Sequence, residues 1–174
     1  VNKTSQWYQD YPWLYQSEID AMKLRFPKAK LGKLDDGRLY WLLDFPLIAS
    51  PISPDGVREW KVMMVYNSDH PFFPPGRYAG SVKTYPLSPS IDDMVAMYST
   101  YRNRVPPHLL TDEFGNSFLC IEHNDNVVLE NRRGGRVTCG ADYAAQTARW
   151  LTAFELSLVD DAVFEKFNRH TDNN

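Results

Sequence analysis

The sequence predicts a single α+β domain, and three observations carry that prediction: an apolar helical stripe near the start, a succession of alternating strands through the first half, and two more helical stripes near the end. With 174 residues and 43% hydrophobic content the chain fits one core, since single cores grow to roughly 100–200 residues before dividing. The first helix rests on Asp10 as cap, Pro12 in the first turn, and Tyr11, Tyr15, Ile19, Met22 and Phe26 recurring every three or four residues. Pro27 ends it, because the residue before a proline is pushed from helical angles. "KLGKL", a turn at Asp35-Asp36-Gly37 and "RLYWLLDFPL" read as two strands of a hairpin, the second with Leu39, Trp41, Leu43 and Phe45 on one side. A second turn at Ser53-Pro54-Asp55-Gly56 leads to "REWKVMMVY", where Trp60, Val62, Met64 and Tyr66 share a face. The proline-rich "HPFFPPGRY" then precedes "GSVKTYPL", a fourth strand. The first half is thus expected to be a helix followed by a four-stranded antiparallel meander.

Ser90 with Asp93 forms a capping pair for a short helix over 90–102. Beyond the segment "HLLTDEFGNSFLC", residues 108–120, the Asn-, Gly- and charge-rich "NDNVVLENRRGGRVTCGAD" reads as a long surface loop. Asp142 can cap a helix whose face is Thr147, Leu151, Phe154 and Leu158, and Asp160-Asp161 can start a last one through Phe164 and Phe167. There is no internal repeat and no dividing linker, so residues 1–174 are expected to be one domain.

Composition narrows the function. A net charge of −3 and a pI near 5.8 give none of the long-range attraction to phosphates from which nucleic-acid binders draw most of their affinity. No apolar run approaches the roughly 18 residues needed to span a bilayer, and the start lacks a basic-then-apolar signal segment. The expectation is a cytoplasmic protein without nucleic-acid or membrane partners. Two cysteines, Cys120 and Cys139, are too few for a disulfide framework.

Cys120 is the sharpest chemical candidate. It follows the polar turn Asp112-Glu113-Phe114-Gly115-Asn116, with His108 twelve residues before and His123 three after. Either imidazole could serve an accessible thiolate. The plainer reading makes "FLCI" an apolar strand with Cys120 as a small buried hydrophobe. A zinc reading joins Cys120 and His123 to Cys139 with His108 or His70, but Cys139 has no close partner of the kind structural sites show. Cys139 beside Arg132, Arg133 and Arg136 lacks an evident base. A hydrolase triad could draw on Asp112 or Asp125 as its acid. Phosphate-loop and paired-carboxylate signatures are absent, and no cofactor is expected.

The element order, His70-Pro71-Phe72-Phe73-Pro74-Pro75, Pro107-His108, Gly115 and Leu119-Cys120 together resemble the ubiquitin-conjugating-enzyme family. The departures from its pattern, Leu109-Leu110 after the histidine, a longer turn and the helix at 90–102, look more like its divergent bacterial relatives, some of which are encoded with cyclic-oligonucleotide antiphage signalling systems. The resemblance implies a ubiquitin-conjugating-enzyme-like fold with an active-site loop and C-terminal helices, and a helical insertion near 88–107. It also implies Cys120 as a thioester-forming acyl carrier, assisted by His108 or His123. The partner would be a ubiquitin-like protein or the glycine-ending tail of a nucleotide synthase, with an activating enzyme, and the acceptor a lysine amine. A noncatalytic binding module of the same fold and a small cysteine hydrolase are the alternatives. Leu109-Leu110 stand where the family has Pro-Asn after the histidine, so an oxyanion donor must come from elsewhere, with Asn116, Asn124 or backbone N–H groups as candidates.

Overall fold

The computed structural model describes residues 5–48, 57–72, 80–121 and 139–169. They form an α+β structure with five α-helices and one six-stranded antiparallel sheet. The helices are α1 (Trp7–Asp10), α2 (Pro12–Arg25), α3 (Ile91–Met97), α4 (Gly140–Ser157) and α5 (Asp161–Asn168), with a 3₁₀ turn at Ser99–Tyr101. The strands are β1 (Lys30–Lys33), β2 (Leu39–Ile48), β3 (Val57–Tyr66), β4 (Val82–Ser88), β5 (Leu109–Thr111) and β6 (Ser117–Leu119), in the order β1-β2-β3-β4-β6-β5. The expected four-stranded meander is therefore corrected: residues 108–120 form a further hairpin, whose second strand β6 overlaps the "FLCI" of the plainer reading but ends before the half-buried Cys120, and β6 joins the sheet where Leu119 pairs with Thr84 of β4. Strands of three residues are too short for alternation to reveal them.

Period-two burial builds the core. Leu39, Trp41, Leu43 and Phe45 of β2 and Trp60, Val62, Met64 and Tyr66 of β3 are buried together, because paired strands in register Trp41↔Met64 and Leu43↔Val62 put these side chains on one face. Helix α4 supplies Thr147, Trp150, Leu151 and Phe154, and Leu158 just beyond it completes the stripe expected there. Gly37, at φ 92°, closes the β1–β2 turn, with its N–H donating to the Leu34 carbonyl. On the opposite face of the sheet Leu42 is partly exposed, and Met63, Lys83, Tyr85 and the β5–β6 turn line a cleft of about 520 Å³.

Helix α2 has Pro12 in its first turn as expected, but it begins there, with Tyr11 rather than Asp10 as its cap, and the separate α1 precedes it. Its buried face is Leu14, Glu18, Ile19 and Met22, while Tyr11 is 48% exposed. The predicted face holds at Tyr15, Ile19, Met22 and Phe26, which are buried or packed against the core, and fails at Tyr11; it also carries a buried glutamate, Glu18. At α4 the cap is Cys139 rather than Asp142, whose side chain reaches back to the Cys139 N–H at 3.4 Å. Ser90 caps α3 by accepting from the Asp93 N–H at 3.2 Å, and Asp160 caps α5. No helix among the described residues is long and apolar enough to cross a membrane.

Candidate active site

The hairpin that ends at Cys120 is built from its turn outward. Asp112 N–H donates to the Asn116 carbonyl at 3.0 Å and Gly115 N–H to the Asp112 carbonyl at 3.1 Å, leaving a three-residue loop that Gly115 closes at φ 85°. The Asp112 carboxylate accepts from the N–H groups of Phe114 (2.9 Å) and Asn116 (2.8 Å) and from the Tyr85 hydroxyl (3.3 Å). Desolvation pushes the Asp112 carboxyl up, but these hydrogen bonds outweigh it and hold the group below its ordinary range. Burial and the neighbouring Asp112 charge push the Tyr85 hydroxyl up to about 12.

From that turn the register Thr111↔Ser117, Leu110↔Phe118, Leu109↔Leu119 brings His108 opposite Cys120. The Cys120 N–H donates to the His108 carbonyl at 2.7 Å. The twelve-residue spacing seen in the sequence is thus closed by a hairpin. Cys120 sits half-buried immediately beyond β6, while Phe118 and Leu119 before it are buried.

The His108 side chain has a structural task. It adopts φ 56°, and its Nε2 lies 2.9 Å from the Phe167 carbonyl oxygen, with the two rings 5.7 Å apart. A carbonyl only accepts, so Nε2 carries the proton and donates it to α5. That nitrogen is committed to holding the last helix against the start of β5, which makes it no base for the Cys120 thiol. His123 lies outside the described residues, as do Asn124, Asp125, the three arginines Arg132, Arg133 and Arg136, and Phe73-Pro74-Pro75 of the proline-rich segment; Phe72 is largely exposed.

Two further candidates separate from Cys120. Asn116 and Asp112 stand at the tip of the hairpin, four residues along the chain from Asn116 to Cys120, about 13 Å in an extended strand. Asn116 is therefore no oxyanion donor for Cys120, and Asp112 is no triad acid. Cys139 donates from Sγ to Asp142 Oδ2 at 3.4 Å, and burial pushes its thiol up, which keeps it protonated and a poor nucleophile. Asp142 is in turn bound to Arg25 at 2.6 Å; burial opposes ionisation, but this bond and the Cys139 N–H outweigh it and hold the carboxyl low. His70 is engaged on both ring nitrogens, and among the described residues no group of three or more His, Cys, Asp and Glu could hold a metal.

Those two bonds belong to a buried polar network that sequence reasoning missed. Glu18 Oε2 accepts from the Tyr66 hydroxyl (2.8 Å) and from the Gly140 N–H (2.7 Å) at the start of α4. Its Oε1 lies 3.3 Å from His70 Nε2, and His70 Nδ1 lies 2.8 Å from Ser81 Oγ. Trp41 Nε1–H donates to the Tyr66 hydroxyl at 3.1 Å and the Ser81 N–H to the Tyr143 hydroxyl at 3.0 Å. Burial first, and then the Glu18 charge, push the Tyr66 hydroxyl well above its ordinary value. Glu18, Tyr66, His70, Ser81 and Tyr143 are all essentially inaccessible to solvent. The network ties α2, β3, residues 70 and 81, and α4 into one unit, which suits a positioning role and leaves no room for a substrate. The available signal was Glu18 itself, set four residues from both Leu14 and Met22 in an apolar helical stripe.

Comparison with protein-family models, with curated proteins and with solved structures finds no match to this chain.

Proposed function

We propose that the protein is a ubiquitin-conjugating-like acyl carrier, with a ubiquitin-conjugating-enzyme-like fold and Cys120 as its nucleophile. The observation that supports this best is the position of Cys120: a half-buried thiol at the end of a sheet strand, its backbone fixed by the His108 carbonyl, after a helix-then-antiparallel-sheet order and ahead of two C-terminal helices. A carrier cysteine needs a rigid backbone and a sulfur that the acyl donor can reach.

In the proposed reaction the Cys120 thiolate attacks the carbonyl carbon of an activated C-terminal glycine, presented as an acyl adenylate or as a thioester on an activating enzyme. A C–S bond forms as the leaving group departs with its electron pair. A lysine amine then attacks the same carbon, the C–N bond forms, the C–S bond breaks, and the thiolate regains a proton. The glycine belongs to a ubiquitin-like protein or to the tail of a nucleotide synthase, the second placing the reaction in bacterial antiphage signalling. With His108 Nε2 committed to Phe167 and Asn116 distant, the candidate oxyanion donors that remain are backbone N–H groups and Asn124, and the candidates for proton transfer are His123 and the incoming amine. Incubation with the partner, its activating enzyme and ATP should add the partner's mass to the wild type and to Cys139→Ala, and not to Cys120→Ala.

The commitment of His108 to a structural bond also favours a second reading, a noncatalytic module that binds such a tail. It predicts tight binding that Cys120→Ala leaves unchanged, with no covalent adduct.

A further inference from the structure

We propose that the outer edge of β5 docks the acyl donor's C-terminal tail, which adds to the sheet as an antiparallel strand and ends beside Cys120; this rests on the reading of Cys120 as an acyl carrier. In an antiparallel pair, residue pairs that exchange backbone hydrogen bonds alternate with pairs that do not. The Cys120 N–H on the His108 carbonyl and the Asp112 N–H on the Asn116 carbonyl mark both ends of the hairpin as bonded pairs. With the register between them, Leu110 faces β6, and the N–H and C=O groups of Leu109 and Thr111 point away from it. β5 is the last strand of the sheet, and among the described residues no strand pairs with that side.

The two edges of the sheet differ. β1 presents Lys30 and Lys33, the kind of charge that discourages strand addition. β5 is Leu109-Leu110-Thr111, with no charge and no proline. Its short length suits a few residues of an extended tail and not a long strand.

Direction and reach then select the end of the tail. β5 runs away from His108, so an antiparallel addition has its C-terminus at the His108 end, where Cys120 lies. Strands stand about 4.8 Å apart, so the added strand lies roughly 10 Å from β6, a gap that two or three extended residues at about 3.3 Å each can cross. The tail's preceding residues pair with Leu109 and Thr111, and its last two or three cross the start of β5. That crossing passes the backbone of His108 closely, which favours residues without a side chain.

The test uses the full chain and a short β-prone peptide ending in two glycines, supplied as a C-terminal thioester of a small thiol so that no activating enzyme is needed. Transfer to Cys120 is read by mass spectrometry, and docking by amide hydrogen exchange at Leu109 and Thr111 with the non-activated peptide. The expected result is transfer to Cys120, with exchange slowed at Leu109 and Thr111 and little changed at Leu110. Thr111→Pro removes an outward N–H without touching the bonds to β6, and N-methylation of the peptide amides that face β5 leaves the protein intact. Each should slow transfer at low peptide concentration by about three- to tenfold, the worth of a hydrogen bond. Transfer that is equally fast with the methylated peptide, without protection of Leu109 and Thr111, overturns the docking edge and leaves the carrier reading standing. Protection without transfer supports the edge and overturns the carrier. The absence of both transfer and protection overturns the docking edge and the carrier reading together.

Discussion

Glu18→Ala should be among the most damaging single substitutions outside the apolar core. It strips partners from the Tyr66 hydroxyl, the Gly140 N–H and His70 Nε2 at once. Each donor sits at a buried residue, and an unsatisfied buried polar group costs about 1–3 kcal/mol. Because a water can enter the space left by the side chain and serve one of them, the expected loss is about 3–5 kcal/mol rather than the sum, as for other buried networks that lose one member. For a chain of this size that lowers Tm by roughly 6–20 °C. Glu18→Gln keeps one acceptor oxygen and should cost about 1–2 kcal/mol. Urea unfolding followed by tryptophan fluorescence measures both, with a lower midpoint at unchanged m. Combining Glu18→Ala with Tyr66→Phe should cost at least about 1 kcal/mol less than the two single changes added, because they share a hydrogen bond. A loss below about 1 kcal/mol for Glu18→Ala, or strict additivity, would refute the network as a unit.

Other expectations follow from the same geometry. His108→Asn tolerates the positive φ but cannot reach the Phe167 carbonyl, so it should lower stability by about 1 kcal/mol while leaving the pH profile of acyl transfer in place; a displaced profile would make the imidazole a proton carrier. Gly80→Ala and Gly115→Ala both demand a positive φ of an alanine, at about 1 kcal/mol, but only at Gly80 would the new methyl also collide with the Tyr143 hydroxyl, so its midpoint should fall distinctly further. Asp142 has its folded pKa below the ordinary 3.8, so its bond to Arg25 stabilises fully above that value and the contribution is lost as pH falls through the lower folded one. The stability gap between wild type and Asp142→Asn should therefore close in acid, and a gap that widens there would contradict the assignment.

Local rules made much of this molecule legible, and their limits are specific. Alternation over ten residues exposed β2 and β3, and a four-residue stripe exposed α4, because each element carries its own period. The α2 face was legible at Tyr15, Ile19, Met22 and Phe26, which are buried or packed against the core, and was missed where Leu14 and the polar Glu18 join it and Tyr11 leaves it for solvent. Glu18 meets Gly140 across 122 residues, and no local pattern reports a contact of that kind. β5 and β6 are too short for period to act; what defines them is the Asp112 carboxylate gathering the turn's N–H groups. In the site, the sequence could bring His108 and Cys120 to notice but could not show that the histidine's Nε2 is occupied by α5.

The most direct test of the central claim is a trap. Cys120→Ser replaces a labile thioester by an ester, so incubation with the partner, its activating enzyme and ATP should give an adduct on the wild type that excess thiol reverses, and a slower adduct at residue 120 of the variant that thiol leaves intact. Both adducts should map to residue 120 by peptide mass spectrometry. A thiol-reversible adduct that persists at another residue in Cys120→Ala, or tight partner binding with no adduct on wild type or Cys120→Ser, would contradict that claim.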